Sequence, residues 1–431
     1  MRKLCLFAGL SVTSALGCTN DDGCNLNGAC EGGACRCLAA WRGATCGELA
    51  LLPAARGAGL HAGASANASA WGGALAYDAP SGRWQMFAAE MVLGCGINAW
   101  ETNSRIVRAS SASLDAPFEV EEEVRPPFSH EPSLARDGAS GAWLLYSIGN
   151  ASSSNAPRPD CAGGYTSAGA PPNGTGGNFK HYVPVEIRSS PALTAAAGEW
   201  ALRATIGNGD FNPSPLLLPN GSALLMWRHL ARTHMVAAAS WAGPYAFNGS
   251  DGACPLPTAA AAARGTAVAD DDPEPDPGCE WWHLFNTTVD ARGLEDPFMF
   301  VQPAATAGAP PTYHALFHDH ESFGGHAFSS DGASWTFSGV PPYSNVLAYG
   351  DGGGSVALQR RERPHLAFDS RGFILALSTS AQPPPTAAKS PPAGFQNDYS
   401  FTSVQPVVPQ PPPPPPPPPP HPPVSPPLNY A

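Results

Sequence analysis

The chain has 431 residues, 46 of them Gly and 49 Pro, with 23 basic and 35 acidic residues and a net charge of −12. That balance leaves no basic stripe for nucleic acid, so no nucleic-acid partner is expected. The length suits one large domain with small attachments, and beyond the N-terminus no run of about 18 apolar residues offers a membrane span.

Residues Met1 to Gly17 read as a secretory signal. Arg2 and Lys3 supply the positive start, Leu4 to Leu16 the apolar stretch, and Ala15-Leu16-Gly17 the small-residue cleavage site. The run is short for a spanning helix, and a lipoprotein box ending at Cys18 would want Leu at another position. Six N-x-S/T sequons, at Asn67, Asn150, Asn173, Asn220, Asn248 and Asn286, sit mostly in predicted loops. Together these features predict a secreted glycoprotein of the extracellular space or cell wall.

Eleven cysteines are present, and removing Cys5 with the signal leaves an even ten, as an oxidised chain requires. Six crowd together: Cys18, Cys24, Cys30, Cys35, Cys37 and Cys46. Spacing alone allows 15 connectivities. A zinc site is the alternative, and an exported, even-numbered set argues against it. The single residue between Cys35 and Cys37, with Trp41 and Gly43 before Cys46, resembles an EGF-like domain over residues 18–48. The resemblance implies Cys18–Cys30, Cys24–Cys35 and Cys37–Cys46. A module this small depends on its disulfides. Cys254 and Cys279 bracket an aperiodic Ala/Asp/Pro stretch and are expected to pair, leaving Cys95–Cys161 by elimination.

From residue 49 to 382 strands dominate. The predicted runs are Trp84 to Val92, Ala142 to Ile148, Ala223 to Leu230, Thr312 to His318 and Phe373 to Ser378, each after a turn signal such as Ser81-Gly82 or Ser140-Gly141. The Ala-rich pieces Leu193 to Leu202 and Ala259 to Ala263 are the helical candidates. Four segments begin alike, at Glu131-Pro132, Asn212-Pro213, Asp296-Pro297 and Arg363-Pro364, with prolines 81, 84 and 67 residues apart. That interval suits a four-stranded propeller blade with loops. A third strand recurs after each hairpin, as in Arg105 to Ser111, Val185 to Ser190, His234 to Trp241 and Gly325 to Trp335. A first unit over Trp71 to Val124 makes five. The five units, the X-Pro starts and the Ala327-to-Trp335 strand resemble the five-bladed propellers of the glycoside hydrolase family 43 and 32 superfamily. The expected fold is all-β: a five-bladed propeller behind a small disulfide-rich module.

The resemblance implies cleavage of glycosidic bonds by paired carboxylates, one protonating the leaving oxygen and one activating water. Its usual acids are Asp, Asp and Glu on the first three blades. Here the first blade lacks an acidic-Pro start, with Trp71 and Glu90 as its channel candidates. The third offers Asn212, which cannot be a general acid, with Asp210 nearby. The catalytic candidates are therefore Glu131, Asp296 and Glu362. The structural alternative for each is to cap a strand or pair with Arg363. Trp71, Arg228, His229, His318, His320 and Arg363 are the candidate sugar contacts. His318 and His320 share a strand face. Asp319 points to the other face, so two ligands alone make no metal site, and neither metal nor cofactor is expected.

From Pro383 the chain reads as a disordered proline-rich tail (383–431), with an unbroken polyproline run at Pro411 to Pro420. It resembles the hydroxyproline-rich segments of plant and green-algal wall proteins, which implies cell-wall or matrix partners. Two functions are compatible with these readings. One is a secreted glycoside hydrolase acting on polysaccharide. The other is a non-catalytic carbohydrate-binding or matrix adhesion protein on the same fold.

Overall fold

The structure is a computed structural model that describes residues 17–63, 68–149, 156–161, 185–206, 212–229, 232–243, 245–246, 282–285, 287–306, 308–384 and 398–411. The signal up to Leu16, five of the six sequons, the Cys254–Cys279 pair, Asp210, the Ala259 to Ala263 piece and the polyproline run beyond Pro411 lie outside them. The sixth sequon, Asn220, sits exposed in a hairpin turn, its side chain accepting from Ser222.

The protein is an all-β, five-bladed propeller with a disulfide-rich N-terminal segment. The first blade is Ser69–Asp78, Arg83–Met91, Ser104–Ser111 and Glu119–Arg125. The second is Ser129–Arg136, Trp143–Gly149, Val185–Ser190 and Ala201–Ile206. The third is Ser214–Leu217, Ala223–His229, Arg232–Ala238 and Tyr245–Ala246, with Trp282–His283 also pairing on Arg232–Ala238. The fourth is Leu294–Gln302, Thr312–Asp319, Phe323–Ser329 and Thr336–Phe337. Every pairing within a blade is antiparallel, so each sheet is a meander from an inner strand outwards.

The strands form where apolar residues run without alternation, because each sheet is covered on both faces by its neighbours. Leu144, Tyr146, Ile148, Val185 and Ile187 of the second blade pack on Leu225, Trp227 and Val236 of the third. Met226 and Met235 of the third pack on Met299, Ala315 and Phe317 of the fourth. Ala367, Ala376 and Val404 of the fifth pack on Met86, Ala88 and Val107 of the first. The ring therefore has a continuous core between blades and keeps its polar groups for the central axis.

The fifth blade departs from the sequence reading. It consists of Arg360–Phe368, Ile374–Gln382, Phe401–Pro406 and Gly59–Leu60. Its third strand lies beyond residue 382, where the tail was expected to begin. Phe401-Thr402-Ser403-Val404-Gln405 is buried throughout; Ser403 bonds Thr379 within the blade at 2.9 Å, and the Thr402 hydroxyl donates to the Gly72 carbonyl of the first blade. The outermost strand comes from before the first blade, Leu60 pairing with Thr402 and Gly59 with Ser403. This joins the two ends of the propeller. Only Gly fits at position 59: its φ is 118°, and a Cβ there would lie 1.9 Å from the Thr402 carbonyl oxygen.

The Ala-rich stretch Leu193 to Leu202 is not helical. It holds a single 3-10 turn, Ala197–Glu199, and opens the strand Ala201–Ile206, which pairs with Val185–Ser190. Sheet pairing overrides the helix propensity of Ala there. Among the described residues no helix is long and apolar enough to cross a membrane.

The N-terminal cysteines pair as Cys18–Cys30, Cys24–Cys35 and Cys37–Cys46, and Cys95 pairs with Cys161. The small module shares a core with the propeller: Cys24, Trp41 and Leu49 bury against Phe300, Leu316 and Leu377. The Trp41 indole N–H donates to Gln302 at 2.8 Å, and its ring lies 5.1 Å from that of His326.

Candidate functional site

The inner strands of four blades carry the same irregularity near their start. Register shifts fall between Trp71 and Ala74, His130 and Ser133, Glu295 and Phe298, and Glu362 and His365. At each bulge one residue adopts positive φ: Gly72 (72°), Glu131 (58°), Asp296 (52°) and Arg363 (53°). In the third blade Asn212 (34°) stands just before the strand. The proline that follows each of the last four has no N–H to lose from the ladder, which is why an X-Pro step suits the position. Holding non-Gly residues there costs about 1–3 kcal/mol each, and such strain concentrates at functional positions.

These five positions converge on the axis. Arg363 Nη1 lies 2.5 Å from Glu131 Oε1 and 3.1 Å from Asp296 Oδ1. The Arg363 backbone N–H donates to Asp296 Oδ2 at 3.1 Å. From the other side the Asn212 amide donates to Glu131 Oε1 at 2.6 Å and to Asp296 Oδ1 at 2.8 Å. Two carboxylates thus share one guanidinium nitrogen and one amide nitrogen, and all four side chains are buried. Gly72 completes the ring without a side chain: a Cβ there would lie 3.2 Å from Arg363 Nε. Arg363 takes the space where the first blade would otherwise place an acid. The first-blade channel position is therefore Gly72, not Trp71 or Glu90.

A second layer sits beside this ring. Glu295 faces His318 across the fourth blade's hairpin, in direct register. Its Oε2 lies 3.5 Å from His318 Nδ1 and 3.3 Å from His320 Nε2, and its Oε1 lies 2.5 Å from Arg228 Nη1. His318 Nε2 is 3.9 Å from Glu362 Oε1, and Arg360 holds both oxygens of Glu362, at 2.7 and 2.9 Å. Glu295, Arg228 and Arg360 are partly exposed and His320 more so, so this layer meets solvent and the ring lies beneath it.

The two consecutive acids are pushed apart. Burial raises Asp296 to about 6; Arg363 opposes the shift, while Glu295 and Glu362 add to it. Burial works the same way on Glu295, but hydrogen bonds from His318 and His320 and the charge of Arg228 outweigh it and hold the carboxyl well below the usual range. His318 is raised: burial opposes its charge, and Glu295, Glu362 and Asp296 prevail. His130, stacked on Trp100 at 4.9 Å and bonded to Ser104 at 2.7 Å, is lowered by burial and by Arg363 and Arg360.

The structure brings Glu131, Asp296, Glu362, Arg363, Arg228, His318 and His320 together. The His229 side chain lies outside the described atoms. Trp71 is buried with the Arg360 guanidinium 4.6 Å over its ring, so it does not present an open face for a sugar. Glu90 is buried in bonds to His61 and Arg105, away from the ring. His314 and His326 lie toward the other end of their strands, 3.1 Å apart and packed on Trp41. The Asp331 turn of the Ala327-to-Trp335 segment is a surface device in which Asp331 accepts the N–H groups of Ala333 and Ser334. Sequence reasoning missed Arg360 and the bridging role of Asn212. The alternation Arg360, Glu362 along one strand face was the available signal for the first. The opposite mouth of the channel opens into a cavity of about 730 Å³ lined by apolar groups including Trp84, Trp143 and Phe298, and the carboxylates do not reach it.

No protein-family model matches this chain, and no curated protein matches it. Among solved structures it is similar to a family 43 β-1,3-galactosidase, at 12% identity and TM-score 0.41, covering 79% of this chain and 58% of that one. An α-L-arabinofuranosidase from Lactobacillus brevis is similar at 11% identity and TM-score 0.43, covering 78% of this chain and 92% of that one. A family 117 glycoside hydrolase from the marine bacterium Zobellia galactanivorans is similar at 10% identity and TM-score 0.43, covering 84% and 89%. The five-bladed architecture itself rests on the strand order described above.

Proposed function

We propose that this chain is a secreted carbohydrate-binding protein that holds a polysaccharide of the cell wall or extracellular matrix at the X-Pro end of its propeller. The observation that carries this reading is the closed ring. Glu131 and Asp296 both grip Arg363 Nη1 and Asn212 Nδ2, so their oxygens lie closer than those bonds end to end. An inverting pair stands about 6.5–9.5 Å apart to leave room for water. Above the ring, Glu295, Arg228, His320 and Arg360 offer charged donors and acceptors of the kind that sugar hydroxyls engage. Four disulfides support an oxidising compartment. The composition of the proline-rich tail supports attachment to a matrix.

Hydrolysis is the second reading. It is favoured by Asp296 and Glu362, whose carboxylates lie with Glu295 and His318 in a cluster spanning no more than 4.8 Å. In it Asp296 protonates the leaving oxygen and Glu362 acts as the nucleophile of a retaining pair, whose carboxyl groups stand about 5–5.5 Å apart. Titration calorimetry and product analysis on arabinan, xylan and fructan oligosaccharides separate the two. Binding without product release supports the first reading. Release that Asp296→Asn or Glu362→Gln abolishes would replace it with the second. Absence of binding to any glycan class would sink both.

A further inference from the structure

Two of the second-layer groups assigned above to sugar contact, Glu295 and His320, also cluster with His318 as metal donors do. Glu295, His318 and His320 each bring one donor atom to within 4.8 Å of the other two. The two distances to Glu295, 3.5 and 3.3 Å, bracket the edge of a tetrahedron whose bonds are about 2.0–2.1 Å, an edge of about 3.4 Å. His318 is buried, and its Nδ1 has only a loose 3.5 Å pair with Glu295 Oε2.

We propose that Glu295, His318 and His320 bind a zinc-class transition-metal cation. Two nitrogens and one carboxylate oxygen are the donor set such ions take. The surroundings follow the pattern by which metal ligands are held. The second oxygen of Glu295 is engaged by Arg228 at 2.5 Å, and the far nitrogen of His318 faces the Glu362 carboxylate at 3.9 Å. The arginines nearby are offset, since Glu295, Asp296 and Glu362 crowd the same spot. Backbone positions serve the site as well. The register sets Glu295 opposite His318. Gly293, at φ 69°, leaves room for the His320 ring, which a Cβ would approach to 3.1 Å. The strand pattern places two ligands on His318 and His320 and sends Asp319 to Arg292 on the other face; the third ligand arrives from the neighbouring strand. His320 is half exposed, which leaves the fourth position of the ion open to solvent or to a ligand oxygen.

The test uses the untagged full chain, stripped with chelator and titrated with zinc alone, with no glycan present. One equivalent of zinc is expected to bind, and His320→Ala and Glu295→Gln are each expected to weaken it by about tenfold or more. Circular dichroism melting confirms that each variant is folded. His320 is exposed enough that its loss leaves the fold standing, so that variant decides the matter should Glu295→Gln unfold. Failure to bind a stoichiometric zinc, or unchanged affinity in His320→Ala, would overturn the proposal. Displacement of zinc by an equal concentration of calcium would also overturn it, because calcium takes oxygen ligands. None of these readouts depends on the protein recognising a sugar.

Discussion

At the scale of single residues, Arg363 decides what the channel can do. It is buried, it neutralises Glu131 and Asp296, and its side chain fills the space beside Gly72. Removing one member of a buried ion-paired set strands the others, at a cost of about 3–5 kcal/mol. Arg363→Met is therefore expected to lower unfolding stability by that amount in urea titration, and adding Glu131→Gln is expected to recover part of it. No loss in the single variant would mean that the ring is not formed. The pairing of an X-Pro acid with Arg363 was legible in the sequence as the structural alternative for those positions. The role of Gly72 was not, because a missing side chain carries no signal until its neighbour is placed. Glu295 lay in plain view beside Asp296, yet its partner His318 is 23 residues away and meets it only through hairpin register.

At the scale of elements, the bulged inner strand is the repeating device, and the X-Pro dipeptide marks it wherever the strand needs a residue with positive φ. That mark counted four blades correctly. The closure of the fifth was hidden for two reasons. Its third strand, Phe401–Pro406, follows a proline-rich stretch, and its fourth, Gly59–Leu60, is two residues long. Neither length nor periodicity distinguishes such pieces from loop. Gly59→Val is expected to break the joint between the ends, since a Cβ there would lie 1.9 Å from the Thr402 carbonyl oxygen. Thermal melting should show a fall of several degrees, a shift consistent with a loss of about 1–2 kcal/mol or more. The N-terminal module is an element of the same kind. Trp41→Ala removes its buried anchor and is expected to cost about 3–5 kcal/mol.

Buried histidines couple these elements to pH. Burial pushes His326 and His365 down to about 3, and His130 and His314 are also lowered, chiefly by burial. The unfolded chain binds protons at these groups near pH 6.5 and the folded chain does not. Their contribution to stability is complete above about pH 6.5 and declines as pH falls toward their folded values. Melting temperature is expected to drop between pH 7.5 and pH 5, and His326→Gln is expected to flatten part of that slope. A slope left unchanged by His326→Gln would contradict neutral burial of that ring.

At the scale of the whole molecule, the propeller spends its apolar residues between blades and gathers Glu131, Asp296, Glu362 and Arg363 at one end of the axis. The fold class and the five-blade count were legible because they rest on repeated local patterns, whereas the cysteine pairings within the described residues followed from the EGF-like resemblance and, for Cys95–Cys161, from elimination. The chemistry of the site was less so, because it depends on side chains from four blades meeting around a bridge of Asn212 and Arg363. The account's central claim is that this bridged end binds glycan without cleaving it. The direct measurement is calorimetric titration of arabinan, xylan and fructan oligosaccharides into the full chain, with chromatography of the same mixtures for released sugar. The account predicts binding to one of these classes, about tenfold weaker in Arg228→Ala, with no release over extended incubation. Release that is lost in Asp296→Asn, or binding indifferent to Arg228, would contradict it.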